Sequence, residues 1–372
     1  MAQRSVRLIR HPLAVGGYLA QLSLNAPRTI NALTLEMVET LLMHLRKLAA
    51  DPEAAAVWID GVGERGFCAG GDVRAMRESA LAAQGGRAVE AEQFFETEYR
   101  VDYLIHRFPK PVLCWANGIV MGGGMGLLMG ASHRIATPSS HFAMPEIAIG
   151  LYPDVGASWF LQRMPGRSGV FCALTGASLN SADALYAGLA DYLLPDAAKK
   201  SVLRRLCAFD WEFDAGKDAE NLTELLTDIE AEADVCLPAS HLKQRSDLIE
   251  RLCESLDPMA IDEAFAGLHG DDAWLNQAGG NFQRGAASTA RIVLEQLRRG
   301  ERLSLADAFR MEMVVSSNRV CDPEFIEGVR AQLVDKDRRP KWLYADLAEV
   351  PAKRIENLFS APWPDNPLAD LA

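Results

Sequence analysis

The sequence lacks the features that mark several protein classes, and each absence narrows what the chain can do. No apolar run reaches the ~18 residues that a membrane span requires, so no membrane partner is expected. The seven cysteines (Cys68, Cys114, Cys172, Cys207, Cys236, Cys253 and Cys321) are scattered, odd in number and never spaced as CxxC. That argues against a disulfide framework and for free thiols in a reducing compartment. The seven histidines form no HxxxH or HExxH pair, so no metal site is expected. Basic residues are the minority, 38 Lys and Arg against 50 Asp and Glu, for a net charge of -12. A nucleic-acid surface wants the opposite balance. Met1 to His11 has no long apolar stretch of the secretory kind, and the cytoplasm is the expected location. No internal sequence repeat is visible.

What is present is the composition of a folded globular protein, 49% hydrophobic and 24% charged over 372 residues. That length allows about two domains at roughly 150 residues each. Val6 to Leu24 alternates around Gly16-Gly17, which predicts a β-hairpin or two short strands. Thr34 is placed to cap an amphipathic helix carrying Met37, Val38, Leu41, Leu42, Leu45 and Leu48, broken by Asp51-Pro52. Val57-Trp58-Ile59, Val112 to Ala116 and Arg134-Ile135-Ala136 read as buried strands. Helices are expected from about Asp72 and over Ala91 to Arg107. This strand–strand–helix rhythm runs to about residue 200; from 201 to 335 the strand signal fades and helical stretches such as Glu220 to Ala233 and Thr289 to Arg299 take over. The expected organisation is an α/β core over 1–200 and a mainly helical region over 201–372.

Two glycine loops carry the chemistry. Gly66-Phe67-Cys68-Ala69-Gly70-Gly71-Asp72 leaves a strand and enters a helix. Trp115-Ala116-Asn117-Gly118 leads through Gly122-Gly123-Gly124 into the apolar helix start Leu127-Leu128-Met129. Glycine at such junctions lets backbone approach a ligand, and the free amides at a helix N-terminus favour negative charge. One amide from each loop, converging on one point, would polarise a carbonyl oxygen and hold the charge it acquires. Two carboxylates follow downstream, Glu146 in Met144-Pro145-Glu146 and Asp154 in Tyr152-Pro153-Asp154-Val155-Gly156.

Together, Asn31-Ala32-Leu33, Phe67-Cys68-Ala69-Gly70-Gly71-Asp72, Asn117-Gly118 with Gly122-Gly123-Gly124, and Pro145-Glu146 resemble the crotonase (enoyl-CoA hydratase/isomerase) superfamily. The resemblance implies a crotonase-like α/β spiral of repeated β-β-α units with a helical C-terminal region. It implies an acyl-CoA thioester substrate, with CoA part of the substrate and no separate cofactor, and an oxyanion hole built from the amides of Gly71 and Gly123. Many crotonase-fold proteins are trimers or hexamers, so a homo-oligomer is compatible with it.

Family members differ in the acids around that hole. Hydratases carry one catalytic glutamate three residues after the middle glycine of the triple-glycine turn, where this chain has Gly126. Half of a two-carboxylate hydration mechanism is therefore missing. Asp154, eight residues after Glu146, fits another branch: the run from Phe142 to Gly156 resembles the 3-hydroxyisobutyryl-CoA hydrolases. Glu98-Tyr99 is similar to a substrate-contacting pair of that branch, and Glu327 to Ala331 with Asp335 to Trp342 resembles its closing signature. The resemblance implies hydrolysis of a short-chain β-hydroxyacyl-CoA, with Glu146 as nucleophile or general base and Asp154 orienting water, binding substrate or moving a proton. Dienoyl-CoA isomerase chemistry, enoyl-CoA hydration and a non-catalytic CoA-binding role are the alternatives. Two carboxylates in one apolar pocket should raise at least one pKa. Bland readings stand beside these: helix capping for Glu146, turn chemistry for Asp154, a solvated helix face for Glu92, Glu96 and Glu98, packing for Cys68, and a solvated basic run for Lys336 to Lys341.

Overall fold

The structure is a computed structural model that describes residues 5–268 and 270–372. Among the described residues nine strands form two sheets: β1 (Val6–Pro12), β2 (Tyr18–Leu24), β3 (Ala54–Gly61), β4 (Gly66–Cys68), β5 (Val112–Ala116), β6 (Ile119–Met121), β7 (His133–Ala136), β8 (His141–Ala143) and β9 (Tyr192–Leu193). The larger sheet has the order β1-β2-β3-β5-β7-β9 and the smaller β4-β6-β8. From β3 onward, successive strands go to one sheet and then the other, so each turn of chain adds a rung to both. Between β2 and β9 every pairing of the large sheet is parallel. Only β1 runs antiparallel to its neighbour, through the turn containing Gly16 and Gly17. Parallel strands are covered on both faces, which is why β3 is buried along its whole length rather than alternating.

The helices between strands form where the sequence predicts them. Helix α1 (Leu35–Ala50) starts at Thr34, whose side chain accepts from the Met37 amide, and buries Met37, Val38, Leu41, Leu45 and Leu48. Helix α2 (Val73–Ala82) is capped by the Asp72 side chain, α3 spans Val89–His106, and α4 spans Gly123–Gly130. After β9 no further strand occurs among the described residues.

The chain resolves into two compact units, each discontinuous in sequence. The first takes the chain up to Gly71, with Arg100–Phe142 and Leu179–Ser240; the second takes Asp72–Tyr99, Ala143–Ser178 and His241–Ala372. This partition does not coincide with the single break near residue 200 expected from the sequence. Helices Lys199–Cys207 and Ala215–Ala233 bury Val202, Leu206, Leu222, Leu226 and Ile229 in the same cluster as Trp58, Leu113, Trp115 and Ile135 of the large sheet. A stripe at i, i+4 and i+7 is what lets a helix after the last strand close that sheet. Trp58 and Trp115 stack at its centre, 5.7 Å between ring centroids. The second unit is helical in all its longer elements, Leu305–Val320 and Ala287–Gly300 among them.

Asn31, a member of the sequence motifs above, proves to be a buried brace of the first unit. Its Nδ2 donates to the carbonyls of Val62 (3.1 Å), Gly66 (3.3 Å) and Phe67 (3.0 Å), and its Oδ1 accepts from the Ala26 amide at 2.9 Å. It also sits at φ 55°, a conformation asparagine tolerates better than most residues. Asn31→Ala should therefore lower unfolding free energy by about 2–4 kcal/mol, combining unpartnered buried groups with a left-handed alanine. Urea unfolding should show a lower midpoint at unchanged slope; a loss under about 1 kcal/mol would contradict the bracing role.

Candidate functional site

In the first unit the two glycine loops meet. Gly124 lies so close to the first loop that a Cβ there would fall 2.6 Å from the Cys68 carbonyl oxygen and 2.8 Å from the Cys68 Cβ. A Cβ on Gly70 would fall 3.2 Å from the Met121 oxygen and 3.5 Å from the Gly123 nitrogen. Cys68 is buried there, its Sγ accepting from the Gly70 amide at 3.4 Å, so it fills space between the loops.

Each amide expected to bind an oxyanion follows a glycine of positive φ: Gly70 at 95° precedes Gly71, and Gly122 at 50° precedes Gly123. Residues with side chains avoid these conformations. Gly123 is the first residue of α4, so its amide has no partner within the helix. Gly71 is fixed by a parallel bridge to Leu33, whose amide donates to the Gly70 carbonyl at 2.8 Å. Gly126 lies buried in the first turns of α4, with no side chain to offer.

In the second unit the acids are gathered. Glu146 opens a short 3-10 helix, Glu146–Ile149, and is buried with its Oε2 lacking any hydrogen-bond partner. Burial, reinforced by the Asp154 charge, pushes its carboxyl well above the ordinary range. Asp154 follows the extended run Leu151–Pro153 and is only 4% exposed. Its Oδ2 accepts from the Tyr99 hydroxyl at 2.6 Å, and that hydroxyl also meets Ser316 Oγ at 2.6 Å. Burial raises the Asp154 carboxyl to about 6 although the Tyr99 hydrogen bond opposes the rise. Tyr152 completes the network, bonding Ser316 Oγ at 2.8 Å and donating to the Glu312 carbonyl at 2.9 Å.

Glu98 stands beside Tyr99 on α3 and is 2% exposed. The solvated-face reading of this helix is thereby corrected: Glu92 is buried too, bonded to Arg87. Both are turned inward because the neighbouring Phe94, Phe95 and Tyr99 supply the same helix with its buried surface. The capping reading of Glu146 also fails, since no side-chain cap serves that 3-10 helix and the carboxylate is buried instead.

The turn after Asp154 is strained. Val155 has φ 51° and Gly156 φ 87°. A β-branched residue in the left-handed region costs on the order of 1–3 kcal/mol and persists only where its surroundings hold it. Those surroundings come from residues that the sequence reading passed over. Glu312 accepts from the amides of Gly156 (2.7 Å) and Ser158 (2.8 Å), and Gln296 donates to the Pro153 carbonyl (2.6 Å) and Ser158 Oγ (2.9 Å). Thr289 donates to the Leu151 carbonyl at 2.6 Å, and the fully buried Arg319 donates to the Gly150 carbonyl at 2.6 Å. The signal that could have found Glu312 is its place among the apolar residues Met311, Met313, Val314 and Val315 of the helix Leu305–Val320; Arg319, next to Ser316, Ser317 and Asn318, carries no such signal.

A sequence model described as enoyl-CoA hydratase/isomerase matches residues 19–359. The chain belongs to that family. Among relatives within it, a chicken protein named 3-hydroxyisobutyryl-CoA hydrolase, mitochondrial, is 34% identical over 91% of this chain and 85% of its own length. The human protein of the same name is 33% identical over 93% of this chain and 87% of its own. The crystal structure of a carnitinyl-CoA dehydratase from Mycobacterium thermoresistibile superposes with a TM-score of 0.85 at 33% identity, covering 99% of both chains. The enoyl-CoA hydratase/isomerase fold, with the crotonase spiral expected from the sequence, is the one observed. Among the described residues no helix is long and apolar enough to cross a membrane, and all seven cysteines are free thiols.

The buried acid has a consequence for stability. Unfolded, Asp154 titrates near 3.9; folded, its carboxyl sits at about 6. Between those values the folded protein holds a proton that the unfolded chain has released, so this group's contribution falls as pH rises through the window and is level above it. The fall amounts to about 3 kcal/mol. Unfolding free energies of wild type and Asp154→Asn, compared at pH 4 and pH 7, should diverge by about 2 kcal/mol in that direction; parallel profiles would show that Asp154 is not raised.

Proposed function

We propose that this chain is an acyl-CoA thioester hydrolase acting on a short-chain β-hydroxyacyl-CoA, with 3-hydroxyisobutyryl-CoA as substrate and 3-hydroxyisobutyrate and CoA as products. Such a reaction belongs to valine degradation. The observation that carries the reading is the distribution of acids: Gly126 offers no side chain where a hydratase has its first glutamate, while Glu146 and Asp154 are both present, buried and raised in pKa. Relatives at about a third identity over most of the chain, named for this hydrolysis, support it.

In this reading the amides of Gly71 and Gly123 hold the thioester oxygen as it gains charge. Losing one such donor typically costs ~10²–10³ in rate. Water, or the Glu146 carboxylate itself, adds to the carbonyl carbon, and the C–S bond breaks to release the CoA thiolate, which takes up a proton. Glu146 acts as base on the water or as nucleophile through a mixed anhydride that water then opens. Its unpartnered oxygen and raised pKa suit either role, since a stronger base is a better proton acceptor near neutrality. Asp154, held by Tyr99, orients the water or the substrate hydroxyl in this reading. Glu98 is assigned to substrate contact.

A second reading, addition or removal of water across a double bond, is kept by the likeness to the carnitinyl-CoA dehydratase structure. Free thiol release from 3-hydroxyisobutyryl-CoA, followed with a thiol reagent beside an enoyl-CoA hydration assay, separates the two. Thiol release is expected; hydration without thiol release would overturn the hydrolase reading. Glu146→Gln should reduce kcat by about 10²–10⁴-fold while CoA-ester binding persists. Retained turnover would remove Glu146 from the chemistry.

A further inference from the structure

Glu312 has no part in the chemistry proposed above, yet it is fully buried inside an apolar stretch, Met311-Glu312-Met313-Val314-Val315. Its two carboxylate oxygens take the amides of Gly156 and Ser158, at 2.7 and 2.8 Å. Its backbone carbonyl takes the Tyr152 hydroxyl at 2.9 Å. The contacts thus grip the chain on both sides of Asp154. Between them sits Val155 at φ 51°, a conformation that a β-branched residue leaves when nothing holds it. Gln296 and Thr289 hold carbonyls that precede Val155, whereas Glu312 holds amides that follow it.

We infer that Glu312 is a positioning residue for the proposed reaction: by accepting the Gly156 and Ser158 amides it clamps Val155 in its left-handed conformation and so fixes where Asp154 presents its carboxylate. The inference rests on the hydrolase reading. Two converging N–H groups require two acceptor atoms. A carboxylate supplies both, while a glutamine side chain supplies one oxygen and turns an NH2 against the other amide. Beyond that one oxygen, the segment after Val155 then keeps only the Ala157 amide on the Asp154 carbonyl (2.8 Å) and Gln296 on Ser158 Oγ (2.9 Å) to oppose the strain at Val155, and Asp154 shifts as that strain relaxes. Displacements of this kind far from the reacting atoms are expressed in turnover more than in substrate affinity.

The test compares wild type, Glu312→Gln, Val155→Gly and the double variant by thiol release from 3-hydroxyisobutyryl-CoA, with circular dichroism to establish folding. Glu312→Gln should lower kcat at least about 10-fold with KM within about 3-fold. Val155→Gly should stay within about 3-fold of wild type, because glycine adopts this φ without the Cβ penalty. In the double variant the glycine removes the strain that Glu312 was needed to hold, so kcat should recover about 5-fold or more over Glu312→Gln alone. A merely structural carboxylate would not be rescued in this way. Folded Glu312→Gln with wild-type kcat, or a double variant no faster than Glu312→Gln, would overturn the inference. Should Glu312→Gln not fold, Glu312→Asp, one methylene too short to reach both amides, carries the same expectation and the same overturning result. Wild-type protein that releases no thiol would refute the hydrolase reading and this role with it; an active wild type with an unaffected variant refutes this role alone.

Discussion

The second unit is organised around the burial of carboxylates in surroundings too apolar to ionise them freely. Glu146, Asp154 and Glu312 each lose most of their hydration, and burial is the largest influence on every one of their pKa values. A buried charge has to be hydrogen-bonded, paired or neutralised by a proton. The three acids answer in different ways. Asp154 is steadied by a phenol, and Glu312 by two backbone amides, which oppose the rise that burial imposes. Glu146 keeps one oxygen without a hydrogen-bond partner. The polar side chains packed around them, Tyr99, Tyr152, Ser316 and Gln296, follow from the need to satisfy what burial leaves exposed.

The first unit carries the amides expected to hold an oxyanion. A developing oxyanion needs donors fixed before charge appears, because donors that must reorganise give much of their benefit away. Gly70 and Gly122, both at positive φ, set the peptide planes of the residues that follow them. Gly124 pressed on Cys68 and Asn31 braced across three carbonyls hold the loops that contain those planes. The two units are thus stabilised by unlike means, one by glycine close packing and the Asn31 brace, the other by hydrogen bonds within a helical array.

Which of this was legible in the sequence follows from the range of the interactions involved. Thr34, Asp72 and the glycine turns act on residues a few positions away, and their helices and loops appear where local pattern puts them. Glu146 and Asp154 were singled out within one short run by their place after the glycine turn and by family resemblance. The discontinuous units were not foreseen, because the stripe Leu222, Leu226 and Ile229 reveals a buried face without saying which sheet buries it. Glu98 was singled out by resemblance, but its burial was hidden for a related reason: acids at neighbouring positions look solvated until the aromatic residues beside them are seen to turn the same surface inward. The grip of Glu312 on Gly156 joins residues 156 positions apart, and nothing in either segment announces the other.

Gly126 sharpens the relation between fold and reaction in this family. It lies in the first turns of α4, one turn beyond Gly123, and brings no side chain to that end of the helix. Under the proposed hydrolase reading, proton transfer falls to acids placed elsewhere, and the turn that carries Asp154 has to be held rigidly. The strained Val155 and the hydrogen bonds to the segment from Gly150 to Ser158 are the physical form of that demand. They draw on helices well downstream, Ala287–Gly300 and Leu305–Val320. The length of chain beyond the strands therefore supplies the framework for the second acid rather than only covering apolar surface.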